Sequence, residues 1–210
     1  MDIHSIIKRI VPLFRRKRMK LFTKTFCPIG TTRILDVGGT MLNWELIKCD
    51  SKITLLNLTI PQNASSFSPQ YTFVVGDGAK MMYSDNQFDI AYSNSTIEHL
   101  GSFERQQAFA AELRRVAEKI WVQTPSRWFF VEPHFLTPFI HYLPKGWQRR
   151  LVRNFTLWGW ITRPTQQYVD NVLSEIRLLS HEEMQRLFPD CVILREKFFG
   201  FTKCFIAIRT

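Results

Sequence analysis

The stretch Ile34-Leu35-Asp36-Val37-Gly38-Gly39-Thr40 decides the fold. Arg33–Val37 reads as a short buried strand that carries one acid, Asp36, and stops at two glycines. Glycine has no Cβ, so the backbone there can bend through positive φ and let a ligand touch main-chain atoms. A plain tight turn has the same local signature, so the meaning of the pair comes from the next hundred residues.

Downstream, strand and helix signals alternate. A short helix is predicted over Met41–Lys48, with strands over Ile53–Leu58 (ended by Pro61), Tyr71–Val75 and Phe88–Ser93. Gly76-Asp77-Gly78 follows the third strand, and the turn residues Asp85-Asn86 precede the fourth. Phe103–Ala117 has helical periodicity, and Lys119–Gln123 is a fifth strand closed by Thr124-Pro125. Units of this length mean parallel strands joined by crossover helices, with ligands at the carboxyl ends of the strands. Later, Ser180-His181-Glu182-Glu183 has the capping-box pattern of a helix reaching Phe188. Cys191–Lys197 and Lys203–Arg209, joined through Gly200, lie too close in sequence for a crossover and are predicted to form an antiparallel hairpin. The expected fold is therefore a Rossmann-like three-layer α/β sandwich. Its seven-stranded sheet has five parallel strands plus the C-terminal hairpin, and an aromatic-rich helical insertion follows the fifth strand.

Composition bounds the function. At 210 residues the chain is long enough to bury a core without covalent staples. Cys27, Cys49, Cys191 and Cys204 are scattered, with no C-x-x-C pattern, which suits a reducing, cytoplasmic compartment. The net charge of +10 is unevenly placed: residues 1–24 hold eight basic side chains against Asp2, which leaves a surplus of only three for the rest. The chain thus divides into a basic arm, residues 1–26, and a nearly neutral domain, residues 27–210. In the arm, Ile3, Ile6, Ile7, Ile10, Leu13 and Phe14 stand near helical spacing, with Pro12 expected to break the middle. Such a segment is suited to peripheral contact with the anionic inner face of a membrane, to packing on the domain, or to touching nucleic acid. It lacks the apolar core and cleavage site of a secretory signal, and no stretch approaches the ~20 apolar residues of a spanning helix.

The set Asp36-Val37-Gly38-Gly39-Thr40, Gly76-Asp77-Gly78, Asp85 to Asp89, Ser93-Asn94-Ser95 and the closing hairpin resembles a class I S-adenosylmethionine-dependent methyltransferase of the small-molecule group, over about residues 30–125 and 180–210. The resemblance implies S-adenosyl-L-methionine as cofactor. It puts Asp36, Gly38, Gly39 and Thr40 at its amino-acid end, Asn57 and Leu58 at its ribose and Asp77, between Gly76 and Gly78, at its adenine. Ser93 and Asn94 would then face the transferred methyl. Two departures stand out: the loop is Gly-Gly-Thr rather than Gly-x-Gly-x-Gly, and Asn57 stands where the family has an acid. A neutral amide can bond ribose hydroxyls, but without the strength of a carboxylate. A nicotinamide dinucleotide is disfavoured, because no third glycine opens the next helix and no acid waits at the ribose.

Methyl transfer needs positioning and, for a hydroxyl or weakly acidic carbon, a proton acceptor. The histidines placed to act are His99, after Ser93 to Glu98, and His134, in Glu132-Pro133-His134; Glu98 and Glu132 are the acids expected to orient them, and with no clustered spacing no metal is predicted. Arg127, Trp128 and Glu132 are the predicted substrate contacts. Residues 127–179 do not fit the alternation and hold four of the six tryptophans. They read either as a satellite core or as a lid over an apolar pocket, and Arg149, Arg150 and Arg153 suggest anionic groups nearby. The expected acceptor is a small molecule, lipid-like or aromatic. A non-catalytic cofactor-binding partner subunit and a nucleic-acid methyltransferase remain the alternatives.

Overall fold

A seven-stranded sheet organises the chain, in the order β3-β2-β1-β4-β5-β9-β8. The computed structural model describes residues 3–61 and 68–210, with side chains from Phe14 onward. The strands are β1 (Arg33–Val37), β2 (Lys52–Asn57), β3 (Tyr71–Val75), β4 (Phe88–Asn94), β5 (Ala117–Pro125), β6 (Val131–Glu132), β7 (Thr137–Pro138), β8 (Val192–Phe198) and β9 (Phe201–Arg209). The helices are α1 (Ile3–Phe26), α2 (Met41–Trp44), α3 (Phe103–Val116), α4 (Lys145–Phe155), α5 (Leu157–Thr162), α6 (Gln166–Glu175) and α7 (His181–Leu187). β1 pairs in parallel with β2 and β4, and β2 with β3, so Val37, Asn57 and Val75 end neighbouring strands at one edge. The predicted seven-stranded Rossmann-like architecture is what the chain adopts.

Several boundaries move for local reasons. Pro12 does not break the arm: α1 runs unbroken from Ile3 to Phe26, since a proline removes one helical donor without having to end the helix. The apolar positions from Ile3 to Leu13 lie outside the residues whose side chains are described. α2 stops at Trp44, four residues short of the predicted Lys48, and the Trp44 side chain is buried in the core. β5 is longer than predicted at both ends, and its unbroken burial from Ile120 to Pro125, Gln123 and Thr124 included, is that of a strand covered on both faces. The capping box forms as read: the Ser180 hydroxyl accepts from the Glu183 amide, and the Glu183 carboxylate accepts from the Ser180 amide at 2.8 Å. The hairpin turn is only Phe199-Gly200, both at positive φ (47° and 82°), which is the primed-turn geometry that matches strand twist. The two-residue pair β6 and β7 was not foreseen.

The chain divides into two compact units. The first comprises Met1–Asn94, Glu112–Val122 and Ile208–Thr210. Its core is an aromatic knot: Phe22 of α1 is fully buried and meets Trp44, Tyr92 and Trp121 edge-on at ring centroids 5.6, 5.4 and 5.7 Å. Edge-to-face contacts of this kind add to the burial each ring already contributes. The second half of α1 is thus part of the core of this unit, through Met19, Phe22 and Phe26.

The second unit comprises Ser95–Ala111 and Gln123–Ala207. Its insertion has a core of its own, in which Phe135, Ile140, Val152, Val169 and Leu173 are buried together. Thr156 and Thr165 cap α5 and α6 by accepting from the Gly159 and Tyr168 amides. Truncating the hub of the first core is expected to cost about 3–5 kcal/mol. Phe22→Ala measured by denaturant unfolding tests this; a loss within about 0.5 kcal/mol would show that α1 does not hold the first unit together.

Candidate functional site

Two clusters of chemistry-bearing residues emerge, one in each unit. The first stands at the carboxyl ends of β1, β2 and β4. Gly38 turns the chain at φ +76°, and its amide donates to the Leu56 carbonyl at 2.8 Å. Gly39 is required by its neighbour: a Cβ there would fall 1.9 Å from Asp36 Oδ2. That carboxyl cannot retreat, because it is fully buried and its Oδ2 accepts from the Trp44 indole N–H at 2.8 Å. Asp36 Oδ1 is buried with no hydrogen-bond partner. Burial pushes the Asp36 carboxyl up to about 7, against the opposing pull of the Trp44 hydrogen bond.

The other strand ends are stitched to this loop. Asn57 Nδ2 donates to the Gly39 carbonyl at 3.0 Å, and the Ser93 hydroxyl donates to the Val37 carbonyl at 3.0 Å. Arg18 of α1 donates to Asn94 Oδ1 at 2.9 Å. The Asp77 carboxylate accepts from the Ala79 amide at 2.9 Å, closing the turn after β3. Leu58 lies just past β2 and is exposed, as is Thr40.

These residues suit an adenosyl amino acid. A buried carboxyl oxygen without a partner offers an acceptor to an ammonium, and the Asp36 carboxyl can occupy the place a Cβ would take only while residue 39 is glycine. Asn57 and Asp77 add a polar side chain each at the ends of β2 and β3. Their present bonds also show a structural role, as does the inward-turned hydroxyl of Ser93, which is fully buried.

The second cluster lies wholly in the second unit. Ile97–His99 forms a short 3-10 turn, pinned by the Arg177 amide, which donates to the Glu98 carbonyl at 2.7 Å. Arg177 is itself held by Gln106 and Glu183. Across the sequence, β6 and β7 pair through Glu132 and Thr137, and the turn between them presents His134. Glu132 is 1% exposed and uses both oxygens: Oε2 accepts from the Phe135 amide, and Oε1 meets His134 Nδ1, each at 2.6 Å. His134 Nε2 lies 3.2 Å from His99 Nε2. Glu98, fully buried, accepts from the Thr124 hydroxyl through Oε2 at 2.9 Å, while its Oε1 has no hydrogen-bond partner.

The electrostatics follow from this packing. Burial raises the Glu98 carboxyl to about 7, opposed by the positive end of His134 and the Thr124 hydrogen bond. Desolvation and repulsion from His134 draw His99 down to about 4. For His134 desolvation also pulls downward, but the hydrogen bond and charge of Glu132 win and raise it. With His134 Nδ1 facing the Glu132 carboxylate, its Nε2 is turned toward His99 Nε2.

Glu132 also borders a cavity of about 230 Å³, with Arg127, Phe135, His141, Lys145 and Gln148 among its walls. Of the expected substrate contacts, Arg127 and Glu132 both line this cavity. Trp128 is not in the wall; it is exposed and stands under the Arg127 guanidinium, 5.5 Å from ring centroid to carbon. Lys145 donates to the Leu173 carbonyl at 2.7 Å, and desolvation lowers its pKa against the attraction of Glu132. Sequence reasoning missed Trp44, Arg18, His141, Lys145 and Gln148. No periodicity or motif marks any of them.

Residues 35–119 match the family described as a methyltransferase domain. The chain overlays a SAM-dependent methyltransferase from Aquifex aeolicus at TM-score 0.52 and 13% identity, over 90% of this chain and 86% of that one. It overlays the Burkholderia thailandensis 1,6-didemethyltoxoflavin-N1-methyltransferase, with bound 1,6-didemethyltoxoflavin and S-adenosylhomocysteine, at 0.55 and 10%, over 92% and 76%. A structure described as putative Zn-dependent alcohol dehydrogenases from Rhodobacter sphaeroides overlays at 0.62 and 11%, over 91% and 87%. No curated protein matches the chain in sequence. At these identities the overlays show the fold, and together with the matched segment it is that of the class I S-adenosylmethionine-dependent methyltransferases.

Two expected outcomes test the first cluster. Gly39→Ala drives a methyl into the Asp36 carboxyl and is expected to cost about 1–3 kcal/mol; unchanged thermal stability would mean the loop relaxes freely. A carboxyl with its folded pKa near 7 rather than the ordinary ~3.9 keeps a proton that the unfolded chain has already released. Stability is thus lost as pH rises from about 4 to 7 and is level above it. Asp36→Asn is expected to remove that part of the slope in melting curves taken across the range; an identical slope in both proteins would contradict the assignment.

Proposed function

We propose that this chain, with a methyltransferase domain on a class I methyltransferase fold, transfers a methyl group from S-adenosyl-L-methionine to a small-molecule acceptor that is lipid-like or aromatic. The observation that carries the reading is the loop after β1, where the buried Asp36 carboxyl, with Oδ1 unpartnered, packs against Gly39 at the carboxyl end of the strand. Asp36, Gly38, Gly39, Thr40, Asn57, Leu58, Gly76, Asp77, Gly78, Ser93 and Asn94 are the residues proposed to hold the cofactor, which supplies an electrophilic methyl on a sulfonium. Asp36 accepts from its ammonium, Asn57 from or to its ribose, and Asp77 from its adenine amine.

The acceptor falls to the second unit. His99 and His134, steadied by Glu132, are proposed as the centre through which the acceptor loses its proton. His99 follows Asn94, the end of β4, by five positions in the chain. The cavity beside Glu132 combines the Phe135 ring with the cations of Arg127 and Lys145, which suits an apolar body bearing a negative or strongly polar group.

The surface of the insertion supports a membrane-borne acceptor. From Pro133 to Val169 there is no acidic residue, while Lys145, Arg149, Arg150, Arg153 and Arg163 supply five cations, of which Arg149 is paired with Asp170. Trp147, Phe155 and Trp160 are each more than half exposed beside them. Exposed tryptophans among arginines suit the headgroup region of an anionic bilayer. No helix among the described residues is long and apolar enough to cross a membrane, so the proposed contact is peripheral.

The second reading, a cofactor-binding subunit without catalysis, is favoured by one observation: the Asn57 amide is already spent on Gly39. Incubation with methyl-labelled S-adenosylmethionine and a total lipid extract of the source cells separates the two. The enzyme reading predicts label in the organic phase, reduced at least about tenfold by Gly38→Val. Cofactor binding by calorimetry without any label transfer would leave the subunit reading in its place.

A further inference from the structure

We propose that Glu98, His99 and His134 form a divalent-cation site of the zinc or manganese class, buttressed by Glu132 and Thr124. Each of the three offers a ligand atom, and these atoms lie within 4.8 Å of one another.

Four features carry the assignment. First, the two Nε2 atoms face each other 3.2 Å apart. Two nitrogens bound to one zinc at 2.0–2.1 Å with a tetrahedral angle stand about 3.3 Å apart, so the pair already has the spacing of co-ligands. Two imidazole lone pairs at that distance repel unless a proton or a cation sits between them. Second, Glu98 is fully buried, yet its Oε1 has no hydrogen-bond partner, an expensive arrangement that coordination would relieve. Third, the supporting shell is complete. Glu132 takes the Nδ1 hydrogen of His134, which aims the opposite nitrogen, and Thr124 fixes the other oxygen of Glu98.

The fourth is charge. Glu98 and Glu132 set two buried carboxyls beside the two imidazoles, a donor set whose charge a divalent cation complements. Lys145, the nearest lysine in the cavity wall, is spent on the Leu173 and Ile176 carbonyls. His99 lies at the surface, which gives the ion a way in and leaves coordination positions open. Three protein ligands with open positions is the arrangement of a catalytic rather than a structural site, one that binds an oxygen ligand and releases its proton to solvent.

What the cation would do rests on the methyl-transfer reading; where it binds does not. The metal-free protein is titrated with Co²⁺, whose visible absorption reports nitrogen and carboxylate coordination, followed by displacement with Zn²⁺. One equivalent of a saturable signal is expected, lost in His134→Ala and His99→Ala, weakened about 10–100-fold in Glu132→Gln, and shifted in Glu98→Gln. Circular dichroism confirms that each variant is folded, and Glu98→Gln keeps the size of the native side chain. No saturable signal, or the same signal in the histidine variants, would overturn the site. S-adenosylhomocysteine binding, measured on the same proteins, is expected to persist in all four variants; its absence from the native protein would overturn the methyl-transfer reading while leaving the metal result intact.

Discussion

The hydrogen bond from the Trp44 indole to Asp36 is the interaction on which the cofactor end of the molecule depends. Trp44 is held by Phe22 and Tyr92, so a ring cluster in the core fixes the orientation of a carboxyl at the sheet edge. The carboxyl in turn dictates that residue 39 be glycine, and the Gly39 carbonyl is then free to receive the Asn57 amide. One buried donor thus links the packing of α1 and α2 to the ends of β1 and β2. The cost is a carboxyl whose second oxygen is unsatisfied, which is the kind of strain that a folded chain retains where a ligand is to be received.

The two units solve different problems. The first is a strand-end cradle whose backbone groups are bonded strand to strand, leaving side chains few choices. The second builds its polar cluster from a 3-10 turn and a two-residue ladder, elements too short to be stable alone. Their stability comes from Phe135 and Val169 in the insertion core and from Arg177, whose guanidinium and main chain tie α3, α7 and the Glu98 turn together. A cluster of two buried acids and two imidazoles needs that framework, since unpaired charge in such a place costs several kcal/mol.

Much of the architecture was legible because it is periodic. The apolar runs of β1 to β5, the capping box at Ser180 and the short span through Gly200 each follow from local chemistry, and the sheet order follows from their succession. Pro12 misled, because a proline costs a helix one bond without dictating where the helix ends. The site was legible in its residues but not in its contacts. His99 and His134 were both named, yet the approach of their rings across 35 positions belongs to the insertion's tertiary packing, which leaves no periodic trace. For the same reason Trp44 was invisible as the partner of Asp36, and the absence of clustered metal spacing in sequence concealed three donors that converge in space.

The central claim is that the bend after β1 receives the adenosyl amino acid. Hydrogen exchange of the backbone amides, with and without saturating S-adenosylhomocysteine, tests it most directly. The account predicts slowed exchange at Gly38 to Thr40, at Leu58 and around Asp77, the ends of three adjacent strands. Slowing confined to other segments, or none at saturation, would contradict it.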